Sequence, residues 1–247
     1  MSARFAVLPT PAAVAEAAAD RIVAAARNAI RRRGRFRIAL SGGSTPRPVY
    51  ALLAAPPRVT AVDWTRVEFF WGDERCVPPD HPECNFGVAR QLLLDHLPGV
   101  RVDAVHRMPA DAPDRDAAAR GYQLEIARAF GVAPEALRPP AFDLVWLGMG
   151  RDGHTASLFA GSTALEERRR WVVTTWAPAP AAWRMTFTLP LINAARSVLF
   201  MVCGPDKAAA FASVRSGSRD LPASRIATRR TLWLVDEHTA GPTPHQP

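Results

Sequence analysis

Residues 142–154 read FDLVWLGMGRDGH, an apolar run that leads into three closely spaced glycines, an aspartate and a histidine. The apolar part, residues 142–147, is predicted to be a buried strand because it is short and ends at a glycine. Glycine permits positive φ and lets a ligand approach the backbone, so the turn is predicted to present Asp152 and His154 at the end of the strand. Open α/β sheets hold their functional groups at this carboxyl end.

Two other interpretations of this segment stay open. Residues 148–153 fit the dinucleotide-binding pattern G-x-G-x-x-G. Against that, Gly161 soon ends the helix that would follow, and no acid ends the next predicted strand to bind a ribose. Alternatively, His154 only caps a turn and Asp152 only accepts local N–H groups.

Strand-like and helical patterns alternate along the rest of the chain. Thr10 and Pro11 form a typical N-cap and first-turn pair for a helix that Gly34 ends. The alternation predicts an α/β fold with a mostly parallel sheet and helices on both faces. One domain, 1–247, is expected, with a frayed tail at 239–247. The predicted strands are 36–40, 67–71, 142–147, 171–175, 185–189, 198–202 and 232–235, and the other predicted helices are 46–55, 86–97, 114–130 and 206–214.

The chain is strongly basic, with a net charge of +8 and a pI of about 10.7. The cluster at residues 31–33 raises the possibility of a nucleic-acid partner. However, arginines are scattered along the chain, no DNA- or RNA-binding motif is present, and a helix C-terminus favours positive charge. We therefore expect an anionic metabolite as the partner, and no nucleic acid.

Cysteine content and hydropathy indicate the compartment. Cys76, Cys84 and Cys203 are an odd number without CxxC spacing, which favours neither a disulfide framework nor a zinc site. No apolar run resembles a signal peptide or a membrane span. A soluble cytoplasmic protein without membrane association is expected.

The sequence SGGSTP at residues 41–46 follows the predicted strand 36–40 and opens a predicted helix. Small residues at a helix N-terminus expose N–H groups and favour phosphate binding. No Gly-Lys-Ser/Thr follows, so this is not a Walker A loop. An ordinary Gly-Ser turn is the alternative. The predicted phosphate-binding residues here are Ser41, Gly42, Gly43, Ser44 and Thr45.

Charged residues follow two other predicted strands and precede a third. Asp73 and Arg75 come directly after strand 67–71, where a carboxylate and a guanidinium would orient hydroxyls and stabilise negative charge, unless they only form an exposed ion pair. Arg184 precedes strand 185–189, and Lys207 follows strand 198–202. Lys207 is the only lysine among 31 basic residues, which suggests that a compact ammonium is required there, although chance also explains it.

Together these segments resemble the 6-phosphogluconolactonase family, within the group that includes glucosamine-6-phosphate deaminases/isomerases. The resemblance implies a Rossmann-like fold of the phosphosugar isomerase/lactonase type. It also implies hydrolysis of 6-phospho-D-glucono-1,5-lactone to 6-phosphogluconate in the oxidative pentose phosphate pathway, without a metal or organic cofactor. The chain departs from the family at Ala160, where proline is common. The matching pieces are 40–46, 71–75 with Asn85, 148–159, and Arg184 through 191–195 to Lys207.

The resemblance implies a role for each site residue. His154 would be the general base that takes a proton from water and returns it to the ring oxygen. Asp152 would orient His154 or shape the turn. Arg75 would stabilise the oxyanion, while Asp73 would fix Arg75 or bind a sugar hydroxyl. The phosphate would be held by residues 41–45, Arg184 and Lys207.

Two related functions are the alternatives. In the amino-sugar-phosphate deaminases, an acid in a Phe-Asn-Glu context follows the histidine within a few residues, whereas residues 155–161 contain no acid. A sugar-phosphate-sensing domain of a transcription regulator needs a DNA-binding module, and the helix before residue 36 leaves no room for a helix-turn-helix.

Overall fold

The computed structural model describes residues 3–133, 138–178, 180–228 and 230–241. A parallel six-stranded sheet lies at its centre, and an antiparallel three-stranded sheet packs beside it. The strands are β1 (Arg4–Leu8), β2 (Phe36–Leu40), β3 (Val67–Trp71), β4 (Asp73–Arg75), β5 (Leu144–Leu147), β6 (Val172–Pro178), β7 (Ala181–Phe187), β8 (Val198–Val202) and β9 (Thr231–Asp236). The central sheet has the order β1-β9-β8-β5-β2-β3, and the second sheet has the order β4-β7-β6.

The central strands form because their sequences are apolar and short. Every residue of β5 and β8 is buried, as expected for parallel strands that are covered on both faces. Large aromatic side chains fill the interior around them, and the rings of Phe200 and Trp233 stack with centroids 3.7 Å apart. The α/β fold with a mostly parallel sheet is therefore confirmed, and all pairs in the central sheet are parallel.

The helices begin and end where local capping chemistry places them. The longest is α1 (Pro11–Arg33), where the Thr10 side chain accepts the Ala13 N–H at 3.1 Å and Gly34 ends the helix at φ +76°. No helix in the described part of the chain is both long and apolar enough to cross a membrane. The others are α2 (Arg47–Ala54), α3 (Asn85–Leu92), α4 (Arg115–Phe130), α5 (Thr163–Glu166), α6 (Leu189–Ala194), α7 (Ala208–Arg215) and α8 (Glu237–Ala240).

The second sheet corrects the prediction for residues 171–189. Strands β6 and β7 form an antiparallel hairpin outside the central sheet, and β7 also pairs with β4. The predicted strand 185–189 starts earlier and ends at Phe187, because Thr188 is the N-cap of α6 and Pro190 lies in its first turn. Two short strands, β1 and β4, were not predicted.

Several other boundaries also differ from the predictions, and the strand predicted at residues 142–147 begins only at Leu144. The predicted helix 86–97 is α3 followed by a separate 3₁₀ turn at Leu94–His96, and the predicted helix 206–214 is a 3₁₀ turn at Pro205–Lys207 followed by α7. Part of the predicted frayed tail is ordered, because Thr239 lies buried in α8 and its hydroxyl donates to the Gly204 carbonyl at 3.0 Å. The rest of that predicted tail, residues 242–247, lies outside the described residues.

The topology determines where a ligand can bind. From β2 the chain moves outward to β3 and then returns to β5 on the other side of β2. The loops after β2 and β5 therefore leave neighbouring strands towards opposite sides of the sheet. A crevice forms at such a switch point, at the carboxyl ends of the strands.

Candidate active site

A cleft of about 430 Å³ opens at the carboxyl edge of the central sheet. Loops that follow β2, β3, β5 and β8 line it, and residues of the β6–β7 hairpin close one side. The structure brings together all the site residues predicted from the sequence except Asp152, which contacts His154 instead. Those that line the cleft are residues 41–45, Asp73, Arg75, His154, Arg184 and Lys207.

His154 is held by a tight turn that follows β5. The Gly150 N–H donates to the His154 carbonyl at 2.9 Å, and the Gly153 N–H donates to the Gly150 carbonyl at 3.0 Å. Asp152 Oδ1 lies 2.5 Å from His154 Nδ1 and accepts the His154 backbone N–H at 3.2 Å. The carboxylate therefore contacts both the ring and the backbone of the turn. Because Nδ1 faces a carboxylate, this geometry assigns the proton to Nδ1 and leaves Nε2 as an acceptor.

Gly150 makes this arrangement possible by leaving space. A Cβ at this position would lie 2.2 Å from His154 Nδ1 and 2.6 Å from Asp152 Oδ1. No nucleotide-binding helix follows these glycines, because residues 154–162 form turns before the four-residue α5. The geometry thus favours the histidine–aspartate pair over the dinucleotide interpretation.

The carboxyl of Asp152 is ionised beside the His154 ring. Burial raises the pKa of the Asp152 carboxyl, but the His154 charge and the hydrogen bonds from its ring and backbone together lower this pKa by a larger amount. The pKa therefore lies below its ordinary value, and the carboxyl is ionised at neutral pH.

We expect the substitution Asp152→Asn to lower kcat by roughly tenfold to 100-fold, the range of one charge-assisted hydrogen bond. Asparagine keeps an oxygen for the N–H groups of His154 but loses the negative charge that stabilises the imidazolium. Steady-state kinetics measures the loss, and thermal unfolding checks the turn. An unchanged kcat with a lowered midpoint would show that Asp152 only supports the turn.

Two guanidinium groups lie side by side in the cleft. Arg75 on β4 lies directly opposite Arg184 on β7, in an antiparallel pair where like charges are destabilising. Arg184 is 6% exposed, and its side chain makes no hydrogen bond or ion pair with a described residue. Burial, followed by repulsion from Arg75, lowers the pKa of its guanidinium, although arginine stays charged at any physiological pH. The charges of Asp73 and Glu83 oppose this shift, and a bound anion would relieve the repulsion further.

Asp73 does not pair with Arg75 within the described residues. Its carboxylate accepts the Ser157 hydroxyl at 2.7 Å, and the Arg75 guanidinium donates to the Glu83 carbonyl at 2.8 Å. Ser157 had no predicted role. Nothing local signals this contact, because it joins residues 84 positions apart.

Glu74 organises the neighbouring loop from the other face of β4. Its buried carboxylate accepts three backbone N–H groups, those of Arg75, Asn85 and Phe86, each at 2.8 Å. Burial raises the pKa of this carboxyl, while the three N–H groups favour its ionised form. The Asn85 side chain lines the cleft and donates to the Asp73 carbonyl at 2.9 Å. Asn85 belongs to the matching pieces of the sequence, but neither it nor Glu74 had a predicted role.

The loop at residues 41–46 is fixed at both ends. The Tyr50 hydroxyl donates to the Ser41 carbonyl at 2.6 Å, and Pro46 precedes α2. Gly42 lies so close to the Asn85 amide that a Cβ would come within 1.9 Å of its oxygen, and Gly43 has a φ of +92°. Both glycines are therefore required by geometry. The loop lines the cleft at a helix N-terminus, a position that favours phosphate.

Lys207 enters the cleft from the 3₁₀ turn that follows β8. Its ammonium is 2.8 Å from the Asp206 carboxylate, and its side chain is mostly buried. Asp206 is the neighbouring residue and also lines the cleft. The lysine is thus held at the cleft with one carboxylate contact, and two of its three N–H groups remain for a ligand.

Comparison with known proteins places this arrangement in a family. Residues 9–233 match the family described as glucosamine-6-phosphate isomerases/6-phosphogluconolactonase. A 6-phosphogluconolactonase of Nostoc sp. is 40% identical over 93% of this chain and 94% of its own length.

Solved structures agree with this match. The structure of 6-phosphogluconolactonase from Trypanosoma cruzi superposes with a TM-score of 0.86 at 32% identity, over 97% of this chain and 96% of that one. A monomeric glucosamine-6-phosphate deaminase superposes with a TM-score of 0.80 at 19% identity, over 96% of this chain and 98% of that one, which shows a shared fold alone.

Proposed function

This chain belongs to the family of glucosamine-6-phosphate isomerases and 6-phosphogluconolactonases, and from that premise we propose that its cleft hydrolyses 6-phospho-D-glucono-1,5-lactone to 6-phospho-D-gluconate with His154 as the base. The 6-phosphogluconolactonases of Nostoc sp. and Trypanosoma cruzi match it over nearly their full length at 40% and 32% identity, so the chain is a hydrolase of the pentose phosphate pathway. The observation that carries the mechanism is that one cleft holds three cationic side chains and the ring of His154, which Asp152 contacts from outside the cleft lining.

The reaction begins with a water molecule at Nε2 of His154. The imidazole takes a proton from this water as its oxygen attacks the lactone carbonyl, and Asp152 stabilises the imidazolium that forms. The tetrahedral intermediate then collapses, and the bond between the carbonyl carbon and the ring oxygen breaks. The imidazolium returns its proton to that ring oxygen. One water is consumed, and the free histidine is regenerated.

The positive groups divide between the reacting centre and the phosphate. Arg75 is anchored to the Glu83 carbonyl, and its remaining N–H groups stabilise the oxyanion. Arg184, Lys207 and the loop at residues 41–45 bind the 6-phosphate. Ser157 fixes the carboxylate of Asp73, which then accepts a hydrogen bond from a sugar hydroxyl. Because the lactone is already an activated ester, positioning and one base suffice.

The alternative within the family is deamination of an amino-sugar phosphate. The side chain that packs against the His154 ring is Phe159, with centroids 4.7 Å apart, and the run 155–161 holds no acid for a second proton transfer. Hydrolysis requires only one base, so these contacts favour the lactonase.

The function is tested with purified protein and two substrates. We expect rapid hydrolysis of freshly prepared 6-phosphogluconolactone and no ammonia release from glucosamine 6-phosphate. Dialysis against a strong chelator is expected to leave the rate unchanged, because the described residues contain no group of three or more His, Cys, Asp or Glu suited to a metal. Ammonia release, or a rate restored only by a divalent metal, would contradict the proposal.

We expect the substitution Lys207→Arg to lower kcat/KM for the phosphorylated lactone by about tenfold, although it keeps the charge. Arginine is bulkier and forked, and it does not fit a pocket shaped for an ammonium beside Asp206. The control is Arg151→Lys, which makes the reverse exchange outside the cleft lining. A wild-type kcat/KM in Lys207→Arg would mean that only the charge matters.

We also propose a cytoplasmic location. Cys76, Cys84 and Cys203 are all free thiols, which suits a reducing compartment. The partner is a small anionic phosphosugar, and neither nucleic acid nor a membrane is needed for the reaction.

A further inference from the structure

A second and larger groove, of about 760 Å³, lies at the amino ends of the central strands. One face of α1 forms one side, and the starts of β1, β5, β8 and β9 form the other. Strands of five residues span roughly 16 Å, so the sheet separates this groove from the catalytic cleft. Its lining includes six arginines: Arg4, Arg21, Arg32, Arg33, Arg196 and Arg230.

Asp143 is the one carboxylate among the described residues that line the groove, and its oxygens are already occupied. Asp143 Oδ1 lies 2.7 Å from the Arg33 guanidinium and 3.4 Å from that of Arg196. Its Oδ2 accepts the Arg37 backbone N–H at 2.9 Å. Asp143 therefore has no capacity to neutralise the other arginines of the groove.

Four groove arginines have no partner in the described part of the chain. The side chains of Arg4, Arg21, Arg32 and Arg230 make no hydrogen bond, ion pair or ring contact with a described residue. Elsewhere on the surface, arginines such as Arg58 pair with carboxylates of a neighbouring element. Several exposed like charges that converge on one groove repel each other, and a bound anion removes that repulsion.

We propose that this groove is a binding site for a nucleotide that carries two or more phosphate groups. The four guanidinium groups that have no described partner provide more donors than one phosphate can use, and arginine binds phosphate with paired N–H groups. The volume is within the range of sites for small organic ligands.

The rest of the lining suits the base and sugar of a nucleotide better than it suits inorganic polyphosphate. An apolar wall lies between the charged side chains and consists of Ala24, Ala25 and Leu232. A base can pack against this wall. The Asn28 amide lies in the same wall, and its oxygen accepts Arg31 at 3.0 Å, so its NH₂ group remains free to donate. Arginine side chains also stack on base planes.

The test is isothermal titration of the full chain with ATP at physiological ionic strength, where weak surface attraction is screened. The groove variant is Arg21→Gln with Arg32→Gln. The matched control is Arg27→Gln with Arg128→Gln, which removes the same charge from exposed helical positions outside the groove. Each titration is repeated with saturating 6-phosphogluconate and with inorganic tripolyphosphate in place of ATP.

The proposal requires one ATP per chain, at least about tenfold weaker binding in the groove variant, and binding within about twofold of wild type in the control. Binding must also survive saturation with 6-phosphogluconate, and both variants must keep wild-type lactonase activity. Equal weakening in both variants, displacement by 6-phosphogluconate, or no ATP binding at millimolar concentration would overturn it. Tripolyphosphate binding as tight as ATP would overturn the assignment to a nucleotide.

Discussion

The substitution His154→Ala is expected to lower kcat by about 10²–10⁴-fold, the contribution of one positioned acid–base group. The fold should not change, because the turn is closed by hydrogen bonds between backbone atoms of Gly150, Gly153 and His154. Timed assays with freshly prepared lactone measure the rate of enzymatic hydrolysis, after the rate of spontaneous hydrolysis is subtracted. Far-UV circular dichroism and thermal unfolding check the fold.

The control for this variant is His96→Ala, which removes an exposed histidine outside the cleft lining and should keep full activity. If His154→Ala keeps near wild-type turnover while both variants are folded, another group activates the water. If the activity of His154→Ala falls because the protein unfolds, its thermal unfolding midpoint will be lower than that of the wild type.

The substitution Arg184→Met is expected to reduce kcat/KM for 6-phosphogluconolactone by about tenfold to 100-fold. The free energy of unfolding should rise or stay unchanged. The Arg184 side chain is buried, has no hydrogen-bond or ion-pair partner in the described part of the chain, and lies opposite Arg75. An apolar side chain of similar length therefore removes a repulsion from the empty protein.

Unphosphorylated gluconolactone distinguishes binding from general damage. Its hydrolysis should hardly change in Arg184→Met, because the lost contact is to the phosphate. The control is Arg120→Met on the exposed surface of α4, which should affect neither substrate. Equal losses on both lactones, or a marked loss of stability, would assign Arg184 to structural support.

Much of the central sheet could be predicted because its signals are local. The strand at residues 36–40 is apolar and ends at a Gly-Ser loop, and its bounds were predicted correctly. The same is true of α1, where the Thr10–Pro11 start and the Gly34 end are capping signals within a few residues. Four loop motifs at strand ends identified the cleft, because parallel strands bring their carboxyl ends to one edge.

What could not be predicted depends on pairing between distant segments. β4 has only three residues, all charged, and it becomes a strand because β7 pairs with it from about a hundred residues away. The same pairing sets Arg75 against Arg184. Glu74 lies between Asp73 and Arg75 in a run of charged residues, yet its carboxylate is buried against the start of α3. No local pattern distinguishes an acid that is solvated from one that accepts three backbone N–H groups.

The pairing of β4 with β7 also limits how the chain can change in length. Side chains alternate between the two faces of a strand, so a slip of one residue would bring Trp183 or Met185 opposite Arg75 and turn Arg184 to the other face. One residue inserted or deleted within β7 would thus separate the two guanidinium groups, even if the strand still formed. Surface loops can gain or lose residues during evolution, whereas β7 can keep its function only at constant length.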